Sequence, residues 1–288
     1  MIAVFKRELN AYFKGIMGYL ASAFLLIFAG IYTMAYNLSG YYANFEYVVS
    51  AISFIYLIAV PILTMKSVAE EKKSRTDQLL YSLPISMTDV IAGKYLAMLV
   101  VLFVPVAVMS VYPIILYQFG NVSLKMAYGA LFAYFMLGAC LLSIGLFISS
   151  ITESQVASAV ITLVVMLILY FMSSLATFVS TSQQGSLIAL IACALIFSLF
   201  VLILTRSALI GILTLGFSTG GIYLYYIIDP SAFSGLFPEI MKSLSVFSRF
   251  DTFIEGVFDV NAIVYYLSMI AAFLFMSVQA MEKRRWSA

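Results

Sequence analysis

The sequence contains no histidine, two cysteines and one tryptophan, and only 10% of its 288 residues are charged. Without histidine it lacks the commonest metal ligand and the commonest general base in proteins. Cys140 and Cys193 both lie within apolar runs, which favours buried small residues over a disulfide or a reactive pair. The P-loop pattern G-x-x-x-x-G-K-[ST] does not occur either, so any ATPase that works with this protein must be a separate chain.

Apolar residues make up 64% of the chain, and the mean hydropathy is +1.09. A soluble globular domain has about 45–50% apolar residues and about 25% charged residues. This composition excludes a soluble enzyme, a disordered chain and a nucleic-acid-binding protein. It indicates an all-α, polytopic integral membrane protein whose surface faces lipid.

Eight apolar segments are long enough to cross a bilayer as helices, which requires about 20 residues each. They are residues 16–37, 48–65, 95–118, 126–150, 156–180, 187–205, 207–228 and 261–281. Only Thr205, Arg206 and Ser207 separate the sixth segment from the seventh. We interpret these two segments as a hairpin, because one continuous helix would be too long for the bilayer.

The basic residues predict the orientation of these spans. With the N-terminus in the cytoplasm, twelve of the fifteen Lys and Arg residues fall on the inner side. The outer side holds Lys125, Lys242 and Arg249. An even number of spans returns the basic residues 283–285 to the cytoplasm, in agreement with the positive-inside rule. We therefore expect cytoplasmic termini in the cytoplasmic (inner) membrane of a prokaryote.

The eight segments carry no Asp, Glu, Lys or Arg away from their ends. Ion-coupled carriers usually need an ionisable group at mid-membrane, and ion channels usually need a polar or charged lining. Hydroxyls such as those of Ser143, Thr162 and Ser173 are expected to hydrogen-bond within their own helices. A secondary transporter is therefore disfavoured, and the energy for any transport must come from another chain.

The longest cytoplasmic connection, residues 66–94, is rich in charges of both signs. Capping boxes at residues 74–77 and 86–89 predict two short helices that Pro84 separates. The first helix would present an apolar face formed by Leu79, Leu80 and Leu83. Such a face suits docking into a groove on a soluble partner. The alternative is that it packs against the protein's own helices.

This loop resembles the loop that follows the second span in ABC-2 type exporter permeases. Members of that family often carry, in order, E-E/R, Gly-Thr, Leu-Leu, Pro and an aliphatic residue, and Gly-Lys-Tyr/Phe. The matching residues here are Glu70, Glu71, Thr76, Leu79, Leu80, Pro84, Ile85, Gly93, Lys94 and Tyr95. Arg75 stands where glycine is usual, so the likeness predicts the helix but not the sharp turn before it.

Two other regions carry the same resemblance. Residues 149–157 resemble the tight turn between the family's fourth and fifth spans. Residues 249–266 and the basic ending 282–286 resemble the gliding-motility-type branch of the family. That branch typically has six spans, which makes the segment 187–228 an extra hairpin.

The resemblance implies a type V-like exporter fold, with a six-span ABC-2 core and an extra hairpin in one permease domain over residues 1–288. Two permease chains would pair, as a homodimer or as a heterodimer with a related permease, and two ATPase subunits would dock below them. The residues implied in ATPase coupling are Glu70, Glu71, Thr76, Leu79, Leu80, Pro84 and Lys94. This chain would bind no cofactor and no metal, since ATP and magnesium would bind to the partner ATPase.

The family also suggests that the fifth span contributes to the interface between the two permease chains. This span opens with Ala157, Ser158 and Ala159, and small residues favour close helix contact in lipid. The alternative is that these residues pack within one subunit. An accessory extracytoplasmic or membrane subunit is a further possible partner.

Two amphipathic segments lie outside the spans. Residues 2–14 place Ile2, Phe5, Leu9 and Phe13 at helical spacing, which predicts a helix at the membrane interface. The outer segment, residues 229–260, carries an apolar stripe that predicts a helix dipping into the outer leaflet. The stripe comprises Phe233, Leu236, Phe237, Ile240, Met241 and Leu244.

Three functional classes follow from the sequence. The favoured class is the permease subunit of an exporter, with an amphipathic or lipid-like substrate because the spans are apolar and free of charge. The alternative is an accessory or mechanical subunit that transmits ATPase motion to another protein without moving a solute. A membrane enzyme is disfavoured, because the chain lacks histidine and intramembrane acids.

Overall fold

The structure, a computed structural model, describes residues 1–76, 85–205 and 207–287. Up to residue 76 the α-helices are α1 (Ile2–Lys14), α2 (Ile16–Thr33), α3 (Phe45–Ile52), α4 (Tyr56–Thr64) and α5 (Ala69–Lys73). From residue 85 to 205 they are α6 (Met87–Met109), α7 (Tyr112–Tyr117), α8 (Leu124–Ile151), α9 (Gln155–Phe178) and α10 (Gln183–Thr205). The last are α11 (Ala208–Ile228), α12 (Leu236–Leu244), α13 (Val246–Ile254) and α14 (Val260–Ser287).

Within the described residues, seven helical segments are long and apolar enough to span a membrane. They are Ile16–Ser39, Phe45–Lys73, Met87–Tyr117, Leu124–Ile151, Gln155–Phe178, Ala208–Ile228 and Val260–Arg285. Helix α10 contains a shorter apolar stretch, Gln183–Leu199, at the position of the remaining predicted span. No strand occurs in the described part of the chain, so the prediction of an all-α, polytopic membrane protein is confirmed.

The contacts divide the chain into two compact units. The first comprises Met1–Leu169 and Val246–Ala288, and the second comprises Tyr170–Ser245. The second unit therefore contains the residues of the extra hairpin. The polar contacts of the candidate site lie within the first unit.

Helix α8 forms the centre of the first unit, where it contacts α3, α4, α6, α13 and α14. In its most apolar stretch 78% of the residues are buried, the highest share among the candidate spans. Two glycines permit close packing on α4. A Cβ at Gly138 would lie 2.7 Å from the ring of Tyr56, and one at Gly145 would lie 2.6 Å from Oγ1 of Thr64. Small residues thus bring the helices together where charges are scarce.

Hydrogen bonds from tyrosines join the helices of this unit. Four buried hydroxyls donate to main-chain carbonyl oxygens on other elements at 2.8–3.0 Å. The pairs are Tyr12 with Leu63, Tyr56 with Tyr134, Tyr95 with Ala139, and Tyr266 with Val246. Each tyrosine therefore packs its ring in the apolar interior while its hydroxyl remains satisfied.

In the second unit, α10 and α11 pack against each other as a helical pair. The aromatic ring of Phe233 is buried between the rings of Tyr225 and Tyr226, at centroid distances of 5.7 and 5.2 Å. The backbone N–H of Gly235 donates to the carbonyl of Thr181 at 2.9 Å. These contacts fix the segment that leads into α12.

The structure differs from the sequence-based expectations in four places. Ser86 caps a helix as predicted, but that helix is not short: its first turns belong to α6, which runs to Met109. The outer stripe is not one helix: Phe233 ends a short 3₁₀-helix, Pro230–Phe233, and the α-helix begins at Leu236. A second amphipathic helix, α13, follows it. Cys193 is exposed rather than buried. Finally, the hydroxyl of Ser173 bonds to Oγ of Ser245 at 3.1 Å and not within its own helix.

Candidate functional site

A cluster of two basic and two acidic side chains joins three helices. We call Arg7, Glu8, Glu71 and Lys94 the ion-pair cluster. Nζ of Lys94 lies 3.0 Å from Oε1 of Glu8 and 3.0 Å from Oε2 of Glu71. Nη2 of Arg7 lies 2.6 Å from Oε1 of each carboxylate. The cluster therefore connects α1, α5 and the start of α6, with its formal charges balanced.

Lys94 is the most deeply buried member, with only 1% of its side chain exposed. Besides the two carboxylates, its ammonium group donates a 2.6 Å hydrogen bond to the carbonyl of Ser67. Burial by itself raises the pKa of the Glu8 carboxyl, but Lys94 and Arg7 together outweigh that effect and hold the pKa below its ordinary value. Glu8 is thus held as a carboxylate in contact with the buried ammonium.

The residue before Lys94 explains how α1 comes so close to α6. A Cβ at Gly93 would lie 3.1 Å from the backbone nitrogen of Phe5 and from Cβ of Val4. A larger side chain would therefore push the two helices apart. Gly93 and Lys94 act together, because the first allows close approach of α1 and the second bonds to Glu8 on that helix.

Helix α1 has two different faces. Val4, Glu8 and Tyr12, spaced at four-residue intervals, are turned towards the protein, and the hydroxyl of Tyr12 reaches the carbonyl of Leu63. The apolar residues that the sequence analysis placed on the membrane face are less buried, and 66% of Ile2 is exposed. The helix therefore anchors itself to the spans and still offers apolar side chains outward.

Helix α5 rests on the end of α8. Oγ of Ser149 accepts hydrogen bonds from the backbone N–H groups of Val68 and Ala69, both at 3.1 Å. Nζ of Lys72, whose side chain is buried, donates to the carbonyl of Ser150. These bonds satisfy backbone groups that a helix start and a helix end leave unpaired. They tie the segment before residue 77 to the fourth span.

The turn between α8 and α9 makes two further connections. Nε2 of Gln155 lies 3.4 Å from Oε2 of Glu70, and Nη1 of Arg284 lies 2.7 Å from Oε1 of Glu153. Glu153 is 75% exposed, so the ion pair with Arg284 contributes little to stability. The turn nevertheless brings α5 and the end of α14 to one place.

Arg75 adopts the left-handed backbone conformation, with φ of +57°. Only glycine reaches this region without strain, so the turn that the family builds on glycine is present here on an arginine. The hydroxyls of Ser74 and Thr76 brace the turn by hydrogen bonds to the carbonyls of Glu70 and Glu71. The hydroxyl of Ser74 thus bonds to the helix before it and also lies 3.0 Å from Oγ1 of Thr76.

The structure brings together two of the predicted coupling residues, Glu71 and Lys94, in the ion-pair cluster. Glu70 and Thr76 lie nearby but are exposed. Leu79, Leu80 and Pro84 lie outside the described residues. So do the other members of the predicted docking helix, Asp77 and Leu83, and Arg206 in the extra hairpin.

The three candidates for a subunit interface differ in exposure. Ala157 is exposed, Ala159 is half-buried, and Ser158 is fully buried within the chain. The burial of Ser158 is the arrangement that packing within one subunit would give. An interface through Ala157, Ser158 and Ala159 stays a prediction.

Sequence reasoning missed Arg7, Glu8, Lys72 and Ser149 as parts of the site. For Glu8 a signal was present, because it is the only acid among residues 2–14 and its helix is amphipathic. No local signal marks Ser149, since one more serine in an apolar helix resembles any other.

An open cleft lies beside the ion-pair cluster, with a volume of about 790 Å³. We call it the inner cleft. Its lining includes the cluster itself, the junction of α1 with α2, and the residues on either side of α5. Lys14 and Lys66 contribute basic groups, and Ser74 and Thr76 contribute hydroxyls.

Comparison with known proteins identifies the family of this chain. A search of the curated proteins gives no significant match. The family model described as ABC-2 family transporter protein matches residues 3–281, nearly the whole chain. This membrane family forms the transmembrane permease component of ABC transporters, is generally not itself catalytic, and normally works with an ABC ATPase. The chain, with its multiple apolar helices and its glycine–lysine pair joined to α1, belongs to the ABC-2 family of transporter proteins.

Proposed function

We propose that this chain is the permease subunit of an ATP-binding-cassette exporter, which moves an amphipathic or lipid-like substrate outward. The observation that carries the proposal is the ion-pair cluster beside the family's docking loop. It links α1, α5 and α6 around Lys94, and two of these helices, α5 and α6, flank residues 77–84 in the sequence, where the resemblance implies ATPase contact. The apolar, charge-poor spans favour a substrate that is itself largely apolar.

The polar contacts suggest a route for the motion. A push on residues 77–84 would reach the two helices that flank them in the sequence, α5, which ends at Lys73, and α6, which begins at Met87. From α5 it would pass to α1 and α6 through Glu71, and to α8 through Lys72 and Ser149. ATP and magnesium belong to the partner ATPase in this proposal, and this chain holds no cofactor.

Two permease chains and two ATPases would form the working machine, because ATP sites in this class of ATPase form between two copies. A C₂ homodimer is the simplest closed arrangement, and a heterodimer with a related permease is the alternative. We assign the chain to the gliding-motility-type branch on the motifs in residues 249–266 and 282–286. Ala157, Ser158 and Ala159 are the candidate interface residues.

The decisive test is reconstitution. The permease, co-expressed with its ATPase and placed in liposomes, should show ATP hydrolysis that rises when a fluorescent phospholipid or a hydrophobic dye is supplied, with outward movement of that probe. If no probe stimulates ATP hydrolysis and no probe is moved outward, the result would instead support a force-transmitting subunit.

The docking loop can be tested separately. Leu79→Asp with Leu80→Asp should release the ATPase during co-purification while the permease stays inserted. Leu244→Asp is the matched control, since this leucine is exposed on the segment predicted to lie outside. Retention of the ATPase by the double variant would rule out these leucines as the docking contact.

We also propose that both termini face the cytoplasm of a prokaryotic cell and that α10 and α11 form a membrane hairpin. Cysteines placed at Gln184 and Arg206, in a background lacking Cys140 and Cys193, test this in intact cells. An impermeant reagent should label position 184 and not position 206. Labelling at position 206 would contradict the eight-span topology.

A further inference from the structure

We propose that the inner cleft binds the phosphate-bearing headgroup of an anionic phospholipid from the cytoplasmic leaflet. The leaflet, but not the site, rests on the orientation proposed above. The cleft lies where the interfacial helix α1 ends and the span α2 begins, separated only by Gly15. A lipid headgroup can reach a cleft at this junction without leaving the bilayer surface, because the start of a span lies at the level of the headgroups.

Two of the lysines that line the cleft are available to bind an anionic ligand. Within the described part of the chain, Lys14 and Lys66 line the cleft and form no ion pair. The four charges of the ion-pair cluster form ion pairs with one another. The remaining acid, Glu70, accepts a 3.4 Å hydrogen bond from Gln155. Two basic groups against one carboxylate favour an anionic ligand over a cationic one.

Neutral donors in the same cleft point to a phosphate. Ser67 is only 4% exposed, and among the described residues its buried hydroxyl has no hydrogen-bond partner. The first residues of α2, Ile16 and Met17, also line the cleft, and no side chain caps this helix start. Free N–H groups at a helix N-terminus bind phosphate oxygens well, because they carry partial positive charge. An unpaired buried hydroxyl would gain a partner from the same ligand.

The surface beyond the cleft is apolar and so fits a lipid better than a soluble ligand. Ile16 is 78% exposed, Tyr19 is 61% exposed and Leu20 is 50% exposed, all on the first turns of α2. With the headgroup phosphate in the cleft, the acyl chains of the lipid would run along this face of the span. A free phosphate ion would leave these apolar side chains uncovered.

The test uses the full-length permease in detergent without its ATPase, titrated with phosphatidylglycerol and followed by native mass spectrometry. Lys14→Gln with Lys66→Gln should weaken binding about thirty-fold, about fivefold for each lysine near the phosphate. Lys6→Gln with Lys73→Gln removes the same charge from two exposed lysines that do not line the cleft, and should leave the affinity unchanged. Ser67→Ala should weaken binding about fivefold through the lost hydrogen bond.

Further arms separate the sources of the ligand. Inorganic phosphate at millimolar concentration should compete only weakly, and phosphatidylcholine should bind less tightly than phosphatidylglycerol.

Three outcomes would overturn the proposal or part of it. If both double lysine variants lost lipid affinity equally, the binding would reflect general attraction to a basic surface. Lysine-dependent binding of inorganic phosphate as tight as that of the lipid would overturn the lipid assignment. If Lys14→Gln with Lys66→Gln instead spared lipid binding and released the co-expressed ATPase, the cleft would belong to the ATPase contact. Because the binding assay needs neither ATPase nor transport, its failure is distinguishable from failure of the proposed function.

Discussion

Lys94 and Glu8, separated by 86 positions in the sequence, meet at 3.0 Å between Nζ and Oε1. This pair fixes helix α1 to the first turns of α6. Because only 1% of the Lys94 side chain and 12% of the Glu8 side chain is exposed, the pair is shielded from solvent and from salt. The attachment of α1 therefore depends on both charges being present.

Lys94→Met should destabilise the protein strongly, by about 3–5 kcal/mol, since it leaves two carboxylates buried without their main counter-charge. Thermal unfolding of the purified protein in detergent measures the loss. Adding Glu8→Gln and Glu71→Gln to Lys94→Met should recover much of the stability, because the uncompensated charges are then gone. Lys6→Met, at an exposed position on α1, should change the stability little. A small effect of Lys94→Met alone would mean that the cluster does not hold α1.

The cluster also predicts a dependence of stability on pH. The pKa of Glu8 is lower in the folded protein than its ordinary value of 4.5, so the unfolded chain takes up the proton first as the pH falls. The contribution of Glu8 to stability is therefore complete above about pH 4.5 and is lost as the pH falls through the lowered folded pKa. Unfolding curves of the wild type and of Glu8→Gln, compared between pH 3 and 7, should converge at the acid end. Curves that stay parallel throughout would contradict this assignment.

Gly93 should tolerate no side chain. Gly93→Ala places a Cβ 3.1 Å from two atoms of α1 and should cost about 1–3 kcal/mol, and Gly93→Val should cost more. Gly129→Ala is the matched control, because a Cβ there meets no atom within 4 Å. Alanine should stabilise that position slightly, by up to about 1 kcal/mol, through its higher helix propensity. If Gly129→Ala were less stable than Gly93→Ala, α1 would not pack on Gly93.

Arg75→Gly should increase stability by about 1 kcal/mol, because it relieves the left-handed strain at φ of +57°. The exposed side chain of Arg75 makes no ion pair within the described residues, so little is lost with it. Lys73→Gly, in the last turn of α5, should instead lower the stability by a similar amount. If both glycine variants were destabilising, the turn at Arg75 would not be strained.

The sequence was sufficient for those features that short segments determine alone. Long apolar runs predicted the spans, and Ser86 with Asp89 predicted the start of α6, because a capping box needs only four consecutive residues. The partner of Lys94 could not be predicted in this way. Its bond to Glu8 depends on how α1 folds back on α6, and nothing near either residue specifies that arrangement.

Two sequence-based predictions in the loop 66–94 were wrong or incomplete, because its neighbouring residues carry no distinguishing signal. The end of the loop and the start of the third span could not be separated by hydropathy, since polar Thr88 and Asp89 continue directly into apolar residues of one helix. The left-handed turn at Arg75 was not predicted, because the usual signal for such a turn is glycine. Here hydrogen bonds from Ser74 and Thr76 hold the conformation that the residue itself disfavours.

The four buried tyrosine bonds bear on how such a permease can evolve. Each hydroxyl donates to a main-chain carbonyl, and every amino acid presents that same oxygen. Positions such as Ala139 can therefore change identity over many generations without breaking the bond, provided that the new side chain still fits. Selection would act mainly on the donors, Tyr12, Tyr56, Tyr95 and Tyr266. Distant homologues should thus retain the tyrosines while the sequence around their acceptors drifts.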